Sequence, residues 1–139
     1  MRPLARWIGL LLFCSLGFSA QAAPAPPPEK HPGQVALVDE GPLGHVYRHF
    51  PSGLRLYTSE RDLPGRSTCY TGCSSKWVPL QAPPEAESIG DWTVVVRETG
   101  VRQWAYRNRP VYTLIHDLPG APAGDGDENG AWRLLPHVP

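Results

Sequence analysis

The stretch Tyr-Thr-Ser-Glu-Arg-Asp-Leu-Pro-Gly at residues 57–65 recurs as Tyr-Thr-Leu-Ile-His-Asp-Leu-Pro-Gly at residues 112–120. The two copies lie 55 residues apart, and the same offset carries Trp77 onto Trp132 without a gap. A self-similar period of this length is typical of a duplicated structural unit. The sequence therefore predicts an internal repeat, and this repeat sets the organisation of the fold.

The repeat units are predicted at about residues 44–80 and 99–135. Each comprises a hairpin, a Tyr-Thr strand end, an Asp-Leu-Pro-Gly corner, a loop and a tryptophan. An open solenoid usually needs three or more repeats to bury its core. Two units therefore indicate a pseudo-symmetric pair that shares a single core.

Alternation of apolar and polar residues predicts short strands throughout this region. No amphipathic helix of useful length is expected, and the segment from about 59 to 90 is predicted to be irregular apart from short helical turns. The fold class is mainly β: a small single domain over residues 34–139, built of β-hairpins from the two repeats with long irregular loops. The predicted strands cover residues 35–38, 46–50, 54–58, 92–97, 101–106, 111–115 and about 132–135.

The N-terminal residues 1–22 have the pattern of a cleavable secretory signal peptide. Two arginines precede an apolar run over residues 7–20, and Ala20-Gln21-Ala22 supplies a small-x-small cleavage site. The run is too short to span a bilayer. Residues 23–33 are rich in proline and are predicted to form an extended, poorly packed spacer. The mature chain is expected to be exported, either periplasmic or secreted, and soluble, with no transmembrane segment.

Charge and motifs exclude several classes of function. Cleavage after Ala22 leaves 117 residues with 11 basic and 13 acidic side chains, a balance that does not favour nucleic acid as a partner. The chain contains no G-x-S-x-G, no H-E-x-x-H and no phosphate-binding glycine loop. We therefore expect no enzyme and no cofactor, and a partner that is an unknown small molecule or an envelope protein.

Cys69 and Cys73 are the two cysteines of the predicted mature chain. In an oxidising compartment such a lone pair is most simply a disulfide. Residues four apart are about 13 Å apart on a strand but about 6 Å apart on a helical turn, so a bond between them requires a turn. Closing so small a loop contributes about 2 kcal/mol. The alternative is a dithiol for redox chemistry or for metal or haem handling, although C-x-x-x-C is not the usual spacing.

Two other groups have metal-like spacing. His45 and His49 fall on a predicted strand, which separates them by about 13 Å and disfavours a shared metal. The stretch Asp-Gly-Asp-Glu-Asn-Gly at 125–130 matches the first half of a calcium loop, but Pro136 stands where the bidentate glutamate should be. An acidic turn is the favoured interpretation. The weak candidate metal ligands are Asp125, Asp127 and Asn129.

Tyrosine, aspartate and tryptophan recur at equivalent positions of the two units. These residues are candidates for a pair of binding sites, or for one site on the pseudo-twofold axis. The alternative is structural: aspartate accepts backbone N–H groups in the corner, and the aromatic residues pack in the core. Duplication favours the structural alternative, because residues that determine the fold should survive in both copies. The candidate binding residues are Tyr57, Asp62, Trp77, Tyr112, Asp117 and Trp132.

Several motifs follow one another along residues 44–135. They are Leu56-Tyr57 with Asp62, Ser67-Thr68-Cys69 with Cys73, Trp77-Val78-Pro79-Leu80, Gln103-Trp104-Ala105-Tyr106, and Pro110-Val111-Tyr112 with Asp117 before Trp132. In this order they resemble a secreted or lipoprotein repeat family of unknown function with the motif Y-x-(F/W/Y)-x-x-D. The resemblance implies export and a small repeated domain, and it implies no established reaction.

The chain departs from that family at two points. The aromatic position of the motif is Ser59 in the first unit and Leu114 in the second. Cys14 follows Phe13 inside the apolar run, whereas a lipoprotein signal needs a small residue before its cysteine, so no lipid anchor is expected. The sequence predicts an exported, non-enzymatic binding or interaction domain, and a redox or metal-handling protein using Cys69 and Cys73 is the alternative.

Overall fold

The computed structural model describes residues 29–135, together with Gly17 and Ala22. The other residues of the predicted signal peptide, the first six residues of the predicted spacer and residues 136–139 lie outside the described part of the chain. As predicted, the protein is mainly β and forms one small domain. The strands within residues 29–135 are β1 (Val35–Asp39), β2 (His45–His49), β3 (Leu56–Ser59), β4 (Trp77–Pro79), β5 (Trp92–Val96), β6 (Arg102–Tyr106), β7 (Arg109–Leu114) and β8 (Trp132–Leu134).

The strands of residues 29–135 form two sheets. β1 and β2 make a separate antiparallel hairpin, joined by a 3₁₀ turn at Gly41–Leu43. The second sheet has the order β5-β6-β7-β3-β8, and β4 also pairs with β7. Neighbours in this sheet are antiparallel. A four-residue helical segment, Asp127–Gly130, precedes β8.

The central pair of strands, β3 and β7, is buried on both faces. Successive side chains of a strand point to opposite faces of its sheet. Leu56 and Val111 accordingly face one core cluster, while their neighbours Tyr57 and Tyr112 face another. The first cluster also contains Val35, Tyr47, Leu80, Ala82, Trp92, Trp104, Tyr106 and Leu135. The second contains Cys69, Trp77, Leu114, Ala131 and Trp132.

Two features differ from what the sequence predicts. The segment predicted to be irregular contains β4, a strand of three residues too short to show alternation, which forms by pairing with β7. The end of the predicted spacer packs against the domain, because Pro32 is buried and the Tyr106 hydroxyl donates to Glu29 Oε1 at 3.0 Å. At least residues 29–33 therefore belong with the domain.

Candidate functional site

The four aromatic candidates for binding are core residues. Tyr57, Trp77, Tyr112 and Trp132 are all at most 1% exposed. The indole rings of Trp77 and Trp132 stack with centroids 3.8 Å apart and planes 7° from parallel. Each indole also meets a tyrosine edge-on, Trp77 with Tyr57 at 5.2 Å and Trp132 with Tyr112 at 5.0 Å. The arrangement leaves none of these rings as an open platform for a ligand.

Each tyrosine donates a hydrogen bond to the aspartate of the other unit. Tyr57 and Tyr112 are directly opposite each other in the β3–β7 pair. The Tyr57 hydroxyl donates to Asp117 Oδ2 at 2.8 Å, and the Tyr112 hydroxyl donates to Asp62 Oδ2 at 2.7 Å. Burial raises the pKa of both tyrosines, and the neighbouring carboxylate adds to the rise. Both phenols therefore act as hydrogen-bond donors at physiological pH and not as bases.

The second oxygen of each aspartate holds its own corner. Asp62 Oδ1 accepts the backbone N–H of Thr68 at 2.8 Å. Asp117 Oδ1 accepts the backbone N–H of Ala123 at 3.0 Å, which is the same step of six residues. Each carboxylate therefore accepts a backbone N–H from the loop that follows its corner, and this side-chain-to-backbone bond favours the turn of that loop. These contacts are the ones that the structural interpretation of the aspartates requires.

Buried charge surrounds the Asp117 corner. The Arg55 guanidinium is 4% exposed, pairs with Glu40 at 2.8 Å and lies 3.7 Å from Asp117 Oδ2. Its other N–H groups donate to the carbonyl oxygens of Leu118 at 2.6 Å and Pro119 at 3.0 Å. Burial by itself would raise the pKa of Glu40, but hydrogen bonds from Arg55 and Arg48 outweigh it and lower that pKa.

The Asp62 corner is packed against a different set of groups. Ser67 Oγ lies 2.5 Å from the Tyr112 hydroxyl. The buried Arg97 guanidinium donates to Ser67 Oγ at 2.9 Å, to Gln103 Oε1 at 2.8 Å and to the Cys69 carbonyl oxygen. This arginine therefore fixes the start of the segment 66–76, which we call the disulfide loop.

Cys69 and Cys73 form a disulfide, as predicted, and the loop curls to allow it. Their Cα atoms are 5.2 Å apart. The backbone N–H of Ser74 donates to the Tyr70 carbonyl at 2.8 Å, and that of Trp77 donates to the Cys73 carbonyl at 3.0 Å, which are the bonds of helical turns. Cys69 is 3% exposed and belongs to the second core cluster. The bond closes a small ring within the disulfide loop, and Cys69 packs that ring against the core.

The acidic stretch at residues 125–130, here called the acidic turn, uses its carboxylates within the protein. Asp125 Oδ1 accepts the backbone N–H of Leu134 at 3.0 Å. Asp127 pairs with Lys76, whose hydrogen bond lowers the pKa of that carboxyl. Asn129 has φ of 58°, in the left-handed region of a turn. Among the described residues no group of three or more His, Cys, Asp or Glu side chains is placed to hold a metal ion.

A cleft of about 310 Å³ lies where the disulfide loop meets the acidic turn. At its base Ser59 is directly opposite Trp132 in the β3–β8 pair. The equivalent pair in the other predicted unit is Leu114 and Trp77, which lie opposite each other where β7 pairs with β4. Leu114 is buried in the second core cluster. The residues that line the cleft are Ser59, Arg61, Thr68, Cys69, Thr71, Gly72, Cys73, Glu128 and Trp132.

Most of these lining residues were not predicted as site residues. Of the predicted ones, Cys69, Cys73 and Trp132 form walls of the cleft, while Tyr57 and Tyr112 lie in the core behind it. One signal was available in the sequence: Ser59 is a departure from the repeat motif at a position where bulk is expected. That Arg61 and Glu128 meet across the cleft depends on tertiary structure.

No family model matches this chain, and it matches neither a curated protein nor a solved structure. Among the described residues, none of the helical segments has the length and apolar character needed to cross a membrane.

Proposed function

We propose that this chain is an exported, non-enzymatic binding domain and that its ligand occupies the cleft between the disulfide loop and the acidic turn. The cleft is concave and combines an apolar base with a few polar groups, which is the usual character of a small-molecule site. Its volume of about 310 Å³ is at the lower end of the range for such sites. A small ligand fits this description better than an extended polymer.

The proposal includes an internal duplication in which the two units share a core around a pseudo-twofold axis. Three reciprocal contacts support it. Tyr57 binds Asp117 while Tyr112 binds Asp62. The indoles of Trp77 and Trp132 stack on each other. Trp77 lies in β4, which pairs with β7, and Trp132 lies in β8, which pairs with β3. Each contact involves one residue from each unit, so neither unit can complete its core without the other.

We assign the site from the difference between Ser59 and Leu114, which hold equivalent positions in the two predicted units. A symmetric pair with leucine at both positions would fill the space beside both indoles. The cleft lies over the pair of Ser59 and Trp132, and its walls come from the two loops that differ most between the predicted units. A buried serine at a position that holds leucine in the other predicted unit departs from the packing pattern, and such departures are expected at functional sites.

Export is supported by two independent features. Residues 1–22 have the order of a signal peptide, and a disulfide persists in oxidising compartments. The resemblance to a secreted repeat family agrees with both features. N-terminal sequencing of protein recovered from the envelope or the medium tests this part, and the expected first residue is Ala23.

The alternative function, redox chemistry at the disulfide, receives support from one observation, since Cys73 lines the cleft. Against it, an incoming thiol that attacks Cys73 must expel the Cys69 sulfur as a thiolate into an apolar cluster, which is unfavourable. Thiol labelling of protein taken directly from its compartment distinguishes the two. A structural bond leaves both cysteines unlabelled, whereas a redox dithiol labels at both.

Binding in the cleft can be tested without knowing the ligand. Amide shifts of the 15N-labelled protein are recorded with a mixture of small aromatic and aliphatic acids, amines and amino acids. We expect shifts confined to the disulfide loop and the acidic turn, and we expect Ser59→Leu to abolish them. Ser88→Leu, the same change at an exposed loop position, is the matched control and should keep them. Shifts elsewhere, or shifts that survive Ser59→Leu, contradict the assignment.

A further inference from the structure

The rim of the cleft carries two opposite charges side by side. Arg61 Nη1 lies 2.7 Å from Glu128 Oε2. The Arg61 side chain is 62% exposed and that of Glu128 is 34% exposed. An exposed ion pair of this kind contributes little to folding stability, so a ligand can separate the two charges at small cost. The pair is therefore available for recognition.

A hydrogen bond from the core holds the Glu128 carboxylate in position at the cleft. The Trp132 indole Nε1–H donates to the same Glu128 oxygen at 3.2 Å. The other indole of the stacked pair differs, because Trp77 Nε1 is buried with no acceptor among the described residues. Cys73 occupies the place in the first unit that Glu128 occupies in the second. A carboxylate over the cleft is therefore a feature of one unit alone.

The base of the cleft offers apolar surface and one hydroxyl. Ser59 Oγ accepts the backbone N–H of Arg61 at 3.2 Å, which leaves its own O–H group to donate. Trp132 and the Cys69–Cys73 disulfide line the cleft around this hydroxyl, although Trp132 and Cys69 themselves are almost fully buried. The equivalent position in the other predicted unit holds Leu114, opposite Trp77. An apolar side chain of similar or slightly larger size fits this base.

We infer that the cleft recognises a free α-amino acid with an apolar side chain, an inference that rests on the proposed function. The ligand's carboxylate pairs with Arg61 and its ammonium pairs with Glu128, while its side chain enters the cleft between the disulfide loop and the acidic turn. Each protein charge exchanges one opposite partner for another, so neither is left uncompensated. Because the two protein charges are adjacent, the ligand's charges must also be adjacent, as they are in an α-amino acid.

The experiment is a calorimetric titration of the full mature chain at low ionic strength. The probes are L-phenylalanine, phenethylamine, which lacks the carboxylate, and 3-phenylpropanoate, which lacks the ammonium. A fourth probe, 6-aminohexanoate, has both charges but far apart. We expect L-phenylalanine to bind about tenfold more tightly than each of the other three, the ratio that one additional charged hydrogen bond provides.

Variants test whether the two charges act as inferred. Arg61→Gln should remove the advantage of L-phenylalanine over phenethylamine, and Glu128→Gln should remove its advantage over 3-phenylpropanoate. Asp91→Asn is the control, since Asp91 is an exposed carboxylate that pairs with Arg107 and does not line the cleft. It should leave all four affinities unchanged. A loss of selectivity in Asp91→Asn would contradict the inference.

The outcomes separate this inference from the function on which it rests. Equal binding of L-phenylalanine and either single-charge analogue overturns the amino acid assignment while leaving a ligand cleft. Absence of binding for all four probes, together with absence of amide shifts in the cleft with the wider mixture, overturns the proposed function as well.

Discussion

The two Asp-Leu-Pro-Gly corners use the same hydrogen bonds in different electrostatic surroundings. Asp62 accepts from the Tyr112 hydroxyl, the Thr68 backbone and the Thr68 hydroxyl, all of them neutral donors. Asp117 accepts from the Tyr57 hydroxyl and the Ala123 backbone, and a buried arginine lies beside it. The shared hydrogen bonds stabilise the fold, whereas the charged groups beside the aspartate differ between the two corners.

The loops that follow the corners extend the comparison. Cys69 stands in the first unit where Gly124 stands in the second, and Cys73 stands where Glu128 does. In the first predicted unit, the Cys69–Cys73 disulfide closes the loop. In the second, the backbone at Gly124 packs directly against the Trp77 indole of the first unit. The two predicted units share the core contacts, and the residues in which they differ lie around one cleft. Four predictions test this division, from the largest expected effect to the smallest.

Leu114→Ser should be the most damaging change, because it gives the second unit the small residue that the first unit tolerates. Leu114 is buried in the second core cluster beside Trp77, so the substitution leaves a cavity and a buried hydroxyl. We expect a loss of about 4 kcal/mol in the free energy of unfolding, measured by urea denaturation. Ser59→Leu is the reciprocal variant and should cost less than about 1.5 kcal/mol, since the cleft provides the room. Equal losses would contradict the asymmetry.

Gly124→Ala should destabilise the protein by about 2 kcal/mol through overpacking. An added Cβ would lie 2.4 Å from Trp77 Cη2 and 2.9 Å from Tyr57 Cε1, and both rings are fixed in the core. Gly120→Ala is the control, because a Cβ there meets nothing within 4 Å. Thermal unfolding of the two variants makes the comparison, and similar melting temperatures would show that the second loop does not rest on the indole.

Asp117→Asn should destabilise the protein more than Asp62→Asn. Both amides keep an acceptor for the backbone, but only Asp117→Asn removes a charge beside the buried Arg55. We expect a loss of about 2 kcal/mol for Asp117→Asn and about 1 kcal/mol for Asp62→Asn. Chemical denaturation at pH 7 measures both. If Asp62→Asn lost more stability than Asp117→Asn, Glu40 alone would be enough to balance the charge of Arg55.

Acid should weaken the second corner through Glu40. The pKa of Glu40 is lowered in the folded protein from its ordinary value of 4.5, so its contribution to stability is present above pH 4.5 and is lost as pH falls through the folded pKa. We expect this contribution to be about 1 kcal/mol. Unfolding measured between pH 6 and pH 3 should show a smaller fall for Glu40→Gln than for the wild type. Glu98→Gln, at an exposed pair with Arg66, should follow the wild type.

The sequence predicted much of this fold because the alternation of apolar and polar residues along a strand is a local signal. Seven of the eight strands in residues 29–135 correspond to predicted apolar runs. The eighth, Trp77–Pro79, has no alternation, so local patterning did not predict it. In the predicted repeat, the offset that maps Trp77 onto Trp132 gives this strand the position equivalent to the closing strand.

The site was harder to predict because it depends on which loops become neighbours. The sequence shows tyrosine and aspartate at equivalent positions of the two predicted units, but not that each tyrosine binds the aspartate of the other unit. Likewise nothing local connects Arg61 with Glu128, which are distant in sequence and meet across the cleft. Such pairings follow from the antiparallel register of β3 and β7, which fixes how the two units face each other.

The central claim is that the repeated aromatic and acidic residues hold the core while the unlike loops bind. The most direct test measures stability and cleft binding together in Tyr112→Phe and Ser59→Leu, by urea denaturation and by amide shifts with the small-molecule mixture. We predict that Tyr112→Phe loses about 1 kcal/mol of stability and keeps the shifts, whereas Ser59→Leu loses the shifts while remaining folded. A folded Tyr112→Phe variant that no longer binds, beside a Ser59→Leu variant that still does, would contradict the account.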